Sequence, residues 1–100
     1  MLNINKTLDP EKLVVALEGR LDTTTSPQLE EELRSSMDGI KELVFDFKDL
    51  AYISSAGLRV LLSSQKIMNK QGSMKIKNVN SDIMEIFDVT GFVDILDIEQ

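Results

Sequence analysis

The stretch of residues 43–62 constrains the fold of this chain more than any other. It opens with the apolar run Leu43-Val44-Phe45, which predicts a strand buried on both faces. A short polar loop and two serines, Ser54 and Ser55, separate this run from a segment whose apolar residues have helical spacing. A strand that leads through a loop into a helix places the first helical amides beside the strand's carboxyl end. In open α/β folds, ligands and chemistry usually lie at that edge.

Apolar periodicity predicts further strands on either side of this stretch. They are expected at residues 2–5, at residues 12–18, around Met74 and Ile76, and at Val93, Ile95 and Leu96. A turn at Asp9-Pro10 is expected to close the first of them. The second of these strands is expected to end in a polar loop at residues 23–25. The first two strands are therefore expected to be neighbours along a short connection.

Three helices are predicted from capping residues and from apolar side chains three or four residues apart. Ser26 is expected to cap the first helix, with Pro27 at its first position and Gly39 after its last turn. The second helix is expected at residues 56–69. The third is expected to start at Asn80 or Ser81 and to end at Gly91.

The resulting order is β-β-α-β-α-β-α-β in a chain of 100 residues, which suits one domain with a single core. Parallel strands joined through a helix form right-handed crossovers, whereas strands joined by a tight turn pair as a hairpin. We therefore expect a single α/β domain over residues 1–100. It should have a mixed β-sheet, an N-terminal β-hairpin and helices packed on the sheet.

Two residue types are missing from the sequence, and their absence excludes several kinds of catalytic site. The chain has no cysteine and no histidine. It therefore cannot build a disulfide framework, a thiolate zinc site, a histidine metal site or a serine–histidine nucleophile. It also has no glycine-rich phosphate loop. We expect a binding protein without a cofactor or a metal rather than an enzyme.

The net charge of the chain at pH 7 is −6, from 17 acidic and 11 basic residues. Nucleic-acid binding relies on lysine and arginine to neutralise phosphates, so no nucleic-acid partner is expected. The acidity suits a basic protein partner and equally a solvated, self-repelling surface. No apolar run approaches the roughly 20 residues that span a bilayer, and no signal peptide is visible. These features predict a cytoplasmic protein without a membrane partner.

Ser54 and Ser55 each have two interpretations. A serine at the N-cap accepts a hydrogen bond from a helical N–H and stabilises the helix by about 1 kcal/mol. Alternatively, a phosphorylated serine would place roughly −1.5 to −2 charges where the helix dipole favours anions. Only one of the two residues can be the cap, and spacing alone favours capping over phosphorylation.

Four other residues in or near this stretch have interpretations of their own. Asp22 is expected at the same sheet edge as Ser55, where it contacts a partner, binds Mg²⁺ or satisfies nearby amides. Asp46 is either a buried functional carboxylate or a residue at the solvent-exposed end of its strand. Gly57 allows close backbone approach or an unhindered first turn, and Arg59 is most simply a solvated side chain.

Three stretches of the sequence together match the pattern of a known family. They are Glu18-Gly19-Arg20-Leu21-Asp22, Ser26-Pro27-Gln28-Leu29-Glu30 and Asp49-Leu50-Ala51-Tyr52-Ile53-Ser54-Ser55-Ala56-Gly57-Leu58-Arg59-Val60-Leu61. With these stretches the whole chain resembles the STAS family, and most closely its small stand-alone anti-sigma factor antagonists. Residues 87–92 are also similar to the family's C-terminal helix and turn. The resemblance implies the STAS fold.

The resemblance also implies a phosphorylation switch. The unmodified protein would bind an anti-sigma factor that is also a serine kinase and so free the sigma factor. Phosphorylation of Ser55 would end this binding, and a serine phosphatase would restore it. Many members have Asp before the phosphorylated serine and Ser or Thr after it, where this chain has Ser54 and Ala56. The residues expected at the partner-binding surface are Asp22, Thr23, Ser54, Ser55, Ala56, Gly57, Leu58 and Arg59.

Two alternatives stay open beside this interpretation. In a phosphoaspartate receiver domain, Asp46 would be the acceptor at the end of a central strand. Such domains carry an acidic pair after the first strand, where this chain has Asn5-Lys6-Thr7. The other alternative keeps the STAS fold in a non-phosphorylated subunit of a larger signalling or lipid-transport complex.

Overall fold

The computed structural model describes residues 2–99. Its elements follow the order predicted from the sequence, with one added 3₁₀ turn. They are β1 Leu2–Asp9, β2 Lys12–Leu21, α1 Ser26–Arg34, β3 Glu42–Ile53, α2 Ser55–Gln71, β4 Ser73–Lys77, α3 Ser81–Thr90, the 3₁₀ turn Phe92–Asp94 and β5 Ile98–Glu99. Among these residues no helix is both long and apolar enough to cross a membrane.

The strands form one mixed sheet whose spatial order, β1-β2-β3-β4-β5, is also their order along the chain. β1 and β2 pair antiparallel, joined by the predicted turn at Pro10. The pairs β2–β3, β3–β4 and β4–β5 are parallel. The predicted N-terminal hairpin and mixed α/β sheet are confirmed.

α1 and α2 lie on the same face of this sheet. Lys6 is opposite Val15 in the β1–β2 pairing, so their side chains share a face. The amino group of Lys6 is 2.8 Å from the carboxylate of Glu32 on α1. Leu21 has the same parity as Val15 in β2 and points to the same face, where it lies against Gly57 of α2. The two helices cover this face in contact with each other.

α3 covers the same face further along β3. Phe45 is opposite Val15 in the β2–β3 pairing, and Phe47 is two positions further along β3. The rings of Phe47 and Phe87 of α3 have centroids 6.4 Å apart. All three aromatic side chains are fully buried. The core therefore lies between the sheet and a single layer of helices.

Three elements are longer than the sequence predicts. β1 continues to Asp9 because each of its residues pairs with β2, and β2 continues to Leu21 because its last residues pair with Tyr52 and Ile53 of β3. The added residues of β1 are mostly polar and all exposed, and those of β2 begin with a glycine, so the apolar pattern did not include them. α2 spans Ser55–Gln71 instead of residues 56–69, and Gly72 follows it.

Ser26 is not the N-cap of α1. Thr25 is the N-cap residue, and Ser26 is the first helical residue. The hydroxyl of Ser26 is buried and donates to the carbonyl oxygen of Asp22 at 2.6 Å. This side chain therefore closes the preceding loop, and as the first helical residue Ser26 lies one position beyond the cap.

α1 also ends earlier than predicted, at Arg34 and not at Gly39. Gly39 lies in the following turn with a φ of 81°, a left-handed conformation that glycine adopts readily. The side-chain amide of Gln71 donates to the carbonyl oxygens of Met37 and Ile40 at 2.8 and 2.7 Å. The turn after α1 is thus held against the end of α2. Because these carbonyl oxygens accept hydrogen bonds from Gln71, they do not require α1 to continue.

The last strand is not at the apolar residues that predicted it. Val93 lies in the 3₁₀ turn, and both Val93 and Ile95 are exposed. Gly91 ends α3 with a φ of 80°, and the chain that follows buries Leu96 in the core. It reaches the sheet edge only after this anchor, so the strand forms at Ile98–Glu99 beside β4.

Asn80, and not Ser81, caps α3. Its side-chain oxygen accepts a hydrogen bond from the N–H of Ile83 at 2.8 Å. Its amide nitrogen donates to the carbonyl oxygen of Leu50 at 3.0 Å. One side chain therefore both starts α3 and ties it to β3.

Candidate functional site

The carboxyl ends of β2 and β3 meet beside the start of α2. The backbone N–H of Ser54 donates to the carbonyl oxygen of Leu21 at 2.9 Å. This bond joins the residue before α2 to the end of β2. The loop that begins at Asp22 therefore lies at the same sheet edge as the start of α2, as the sequence predicted.

Ser54 is the N-cap of α2. Its backbone is extended, with φ −100° and ψ 176°. Its hydroxyl oxygen accepts a hydrogen bond from the N–H of Gly57 at 3.4 Å, and its carbonyl oxygen accepts one from the N–H of Leu58 at 2.9 Å. The capping interpretation is therefore correct for Ser54 and wrong for Ser55.

Ser55 is the first helical residue of α2, and its side chain is exposed. Within residues 2–99 its hydroxyl has no hydrogen-bond partner, because the cap is provided by Ser54. The N–H groups of the first helical turn and the helix dipole favour negative charge at this end. The hydroxyl is thus open to modification at a place that tolerates a phosphate.

Gly57 and Leu58 position the start of α2 from the core side. Gly57 is buried against Leu21 and Ile53, and Leu58 is only 6% exposed. Neither residue presents a side chain at the surface of the free chain. Their role in contacting a partner stays a prediction, whereas their role in placing Ser55 follows from this packing.

Asp22 organises the loop between β2 and α1. Its Oδ1 accepts hydrogen bonds from the N–H groups of Thr24 and Thr25 at 3.1 Å each, and from the Thr24 hydroxyl at 2.8 Å. The Thr24 hydroxyl, aided by the other bonds from Thr24 and Thr25, lowers the pKa of Asp22 against a raising effect of burial. Its Oδ2 lies 3.9 Å from Nε of Arg20. Asp22 therefore satisfies nearby amides, which was one of its three interpretations.

The Mg²⁺ interpretation of Asp22 finds no further carboxylates to support it. Among residues 2–99 no group of three or more acidic side chains converges in a way that would hold a metal ion. Asp22 itself already uses one carboxylate oxygen for the hydrogen bonds of its own loop.

Thr25 is a site residue that the sequence analysis missed. Its buried hydroxyl accepts from the N–H of Asp22 and donates to the carbonyl oxygen of Arg20, both at 2.8 Å. It thereby holds the loop closed between the end of β2 and the start of α1. The available signal is a threonine three residues after the aspartate at the end of a strand, in a stretch whose composition otherwise indicates only a polar loop.

Arg20 and Tyr52 form a second pair that the sequence did not reveal. They are opposite each other in the β2–β3 pairing, and the guanidinium carbon lies 4.3 Å from the ring centroid. This distance suits a cation–π interaction. The pairing depends on an irregularity in the register between Gly19 and Arg20, which no sequence pattern indicated.

A cavity of about 270 Å³ opens between α2 on one side and the loop after β2 with the start of α1 on the other. Thr23 and Glu30 are among the residues on one side, and Ala56, Arg59 and Ser63 line the other. It brings together three residues predicted for the partner surface, namely Thr23, Ala56 and Arg59. Arg59 is exposed and has no carboxylate of residues 2–99 within ion-pair distance.

Asp46 lies outside this site, on the face of the sheet opposite the helices. It alternates with Phe45, which faces the core. Burial acts to raise the pKa of Asp46. The pKa is nevertheless lowered by hydrogen bonds from Asn78 at 2.9 Å and from the N–H of Lys48 at 3.0 Å, and by the charges of Lys77 and Lys48. This carboxylate is a structural group on the solvent-facing side of its strand.

The receiver-domain alternative is wrong. β1 and β2 form an antiparallel hairpin, where that alternative expected a parallel unit with a helix between its strands. Asp46, its supposed phosphoacceptor, is half-buried and occupied by the hydrogen bonds described above. The similar proteins described next agree instead with the STAS fold.

Residues 3–100 match the STAS domain family. The anti-sigma-B factor antagonist of Bacillus subtilis (strain 168) is 32% identical over 98 residues, which cover 97% of this chain and 90% of that protein. The crystal structure of an anti-sigma factor antagonist from Mycobacterium paratuberculosis is similar with a TM-score of 0.88 and 19% identity, covering 98% of this chain and 85% of that one.

A further similar structure is that of the Bacillus cell fate determinant SpoIIAA in the phosphorylated form. Its TM-score is 0.74 at 16% identity, and the match covers 100% of this chain and 92% of that one. These structural likenesses show the fold, and the match over residues 3–100 together with the Bacillus subtilis relative shows the family. The chain therefore belongs to the STAS domain family and is related within it to the anti-sigma factor antagonists.

Proposed function

We propose that this chain is an anti-sigma factor antagonist that is switched off by phosphorylation of Ser55. The unmodified protein binds an anti-sigma factor with serine kinase activity and so frees the sigma factor. Transfer of a phosphate to Ser55 ends this binding, and a serine phosphatase restores it. The observation that carries the proposal is that Ser54 caps α2 and leaves Ser55 exposed with an unbonded hydroxyl. The name of the Bacillus subtilis relative supplies the partner class.

A phosphate on Ser55 acts on the surface of the domain and not on its fold. The residue is exposed, and the helix start favours negative charge. The phosphate adds roughly −1.5 to −2 charges, which a partner docked over the site would have to desolvate. Phosphorylated SpoIIAA, whose fold is similar to that of this chain, supports the view that this architecture tolerates a phosphate.

Ser54 is a poorer phosphoacceptor than Ser55. Its side chain is half-buried, and its oxygen accepts the hydrogen bond from Gly57. Phosphorylation of Ser54 would therefore disturb the cap of α2, whereas phosphorylation of Ser55 leaves that cap in place. This difference supports Ser55 as the position of control.

The proposal makes this chain the substrate of a kinase and not an enzyme. Ser55 has no histidine to activate it as a nucleophile, because the chain contains none. The site is a surface for a protein partner, formed by α2, the loop after β2 and the cavity between them. A cytoplasmic location follows from the proposed partners, since a sigma factor acts on transcription there.

The test is a pull-down from the native-cell lysate with the wild type, Ser55→Ala, Ser55→Asp and Ser81→Asp as baits. Ser81 is a matched control because it is exposed and is the first residue of α3 after its own cap, Asn80. We expect the wild type, Ser55→Ala and Ser81→Asp to retain a kinase-like anti-sigma factor, and Ser55→Asp to lose it. The recovered kinase is then incubated with the wild type, and the modified serine is mapped by mass spectrometry.

Equal recovery of the same partners by all four baits would contradict control at Ser55. Modification of Ser54 in the kinase reaction would contradict the assignment of the phosphoacceptor. Partners from a larger signalling or lipid-transport assembly, retained alike by all baits and without phosphorylation, would instead identify a non-phosphorylated STAS subunit.

A further inference from the structure

We propose that Arg59 receives the phosphate of phosphorylated Ser55 within the same helix. The inference rests on the proposed function, because it takes phosphorylation of Ser55 as given. Both residues are exposed, and Arg59 follows Ser55 by four positions in α2. Residues four apart in a helix lie on one face with Cβ atoms about 5–6 Å apart. A serine phosphate and a guanidinium span such a gap easily.

The order of the two residues along α2 also favours the contact. Side chains in a helix tilt toward its N-terminus, so that of Arg59 leans toward Ser55. An anionic residue placed four positions before a cationic one is the stabilising orientation of such pairs. Guanidinium binds phosphate oxygens through two parallel N–H donors, which suits the dianion on Ser55.

Arg59 is available for this contact, whereas the other charged groups around the site are engaged. Among residues 2–99, Glu30 is the only other charged residue that lines the same cavity, and its carboxylate is 3.2 Å from the guanidinium of Arg34. Arg20 lies over Tyr52 at the sheet edge. Among residues 2–99, Arg59 has no acidic side chain within ion-pair distance.

The consequence is that one phosphate changes the partner surface twice. Before modification, Arg59 presents a free cation beside a neutral serine. Afterwards the phosphate adds negative charge and also occupies the guanidinium, so a partner that had used Arg59 loses this contact as well. The same pairing favours the doubly charged form of the phosphate and lowers its second pKa.

The experiment incorporates phosphoserine at position 55 during synthesis of the protein, so that no kinase or partner is needed. The phosphate is titrated by ³¹P NMR in the wild type, Arg59→Ala, Arg59→Lys and Lys66→Ala. Lys66 is an exposed cation further along α2, so Lys66→Ala makes the same change in net charge away from the site. Glu30 of α1 and Asp22 of the neighbouring loop are retained in every variant.

We expect Arg59→Ala to raise the second pKa of the phosphate by about 0.3 relative to the wild type, from the usual strength of such helical pairs. Lys66→Ala should leave this pKa unchanged, and Arg59→Lys should keep part of the effect because it keeps the charge. In the wild type, the NMR signal of the Arg59 Nε–H should also shift between the serine and the phosphoserine proteins.

An equal phosphate pKa in the wild type and Arg59→Ala, with an unmoved Arg59 signal, would overturn the inference. That result leaves the proposed function intact, because the Ser55→Asp pull-down does not depend on Arg59. Conversely, a phosphoserine protein that shows the Arg59 contact and still binds the anti-sigma factor would overturn the proposed function and not this contact. Amide spectra of all variants verify that each is folded.

Discussion

The backbone of Gly57 packs against the side chain of Leu21 with no room for a methyl group between them. A Cβ atom on Gly57 would lie 2.8 Å from Cγ of Leu21 and 2.8 Å from Cγ1 of Ile53. Non-bonded carbon atoms prefer separations of about 3.5–4.0 Å. Glycine at this position therefore sets how closely α2 approaches the ends of β2 and β3, and with it the position of Ser55.

We expect Gly57→Ala to destabilise the domain although alanine is the better helix former. Alanine gains about 1 kcal/mol over glycine inside a helix, whereas overpacking a core contact costs about 1–3 kcal/mol. The free energy of unfolding should fall by about 1 kcal/mol, measured by equilibrium urea denaturation. Ser63→Ala, at an exposed position of the same helix, is the control and should be close to neutral. A Gly57→Ala protein as stable as the wild type would show that α2 shifts without cost.

The two adjacent serines are expected to contribute differently to stability. Ser54→Ala removes the acceptor for the N–H of Gly57 and should cost about 0.5–1 kcal/mol, in the lower part of the range for caps because the bond is 3.4 Å long. Ser55→Ala should stay within about 0.5 kcal/mol of the wild type. Thermal denaturation of both variants decides the point. A larger loss for Ser55→Ala would contradict the assignment of the cap.

Thr25→Val is expected to loosen the loop that lies beside Ser55. Valine keeps the shape of the side chain but leaves the N–H of Asp22 and the carbonyl oxygen of Arg20 without their bonds to the hydroxyl. The free energy of unfolding should fall by about 2 kcal/mol. Thr25→Ser keeps the hydroxyl and should lose less than Thr25→Val in urea denaturation. If the two variants are equally destabilised, packing of the methyl group and not hydrogen bonding holds the loop.

Asp46 is expected to make the domain sensitive to acid. Burial acts to raise its pKa, but the bonds from Asn78 and Lys48 and the charge of Lys77 hold the pKa below the ordinary value of 3.8. The carboxylate therefore stabilises the fold above that ordinary value, and the contribution is lost as the pH falls through the lower pKa of the folded state. Asp46→Asn should lose less stability than the wild type between about pH 5 and pH 3.

The measurement for Asp46 is urea denaturation at a series of pH values. Asp9→Asn serves as the comparison, since it makes the same chemical change at an exposed position at the end of β1. Parallel profiles for the wild type and Asp46→Asn would show that the hydrogen bonds of this carboxylate do not favour its charged form.

The order of the elements could be predicted because it depends on local patterns. The apolar run before Ser54, the serine cap and the helical spacing after it lie within one stretch of sequence. They predicted β3, the start of α2 and the sheet edge beside Asp22. Which of the two serines is the cap could not be predicted, because either has the required chemistry. The extended backbone of Ser54 decides it.

Most of the wrong or missed predictions concern positions that distant residues decide. The end of α1 depends on Gln71, which holds the backbone of the following turn. The place of β5 depends on where Leu96 reaches the core. The pairing of Arg20 with Tyr52 depends on the register of two strands. None of these contacts leaves a periodic signal along the chain.

The identity between strand order in the sheet and strand order in the chain has a consequence for synthesis. Each strand pairs with the one that left the ribosome just before it, so no early strand has to keep a gap open for a later one. β2 and β3, which end beside Ser55, need only the chain up to α2 to assemble. The surface around Ser55 can therefore assemble without the insertion of a later strand between β2 and β3.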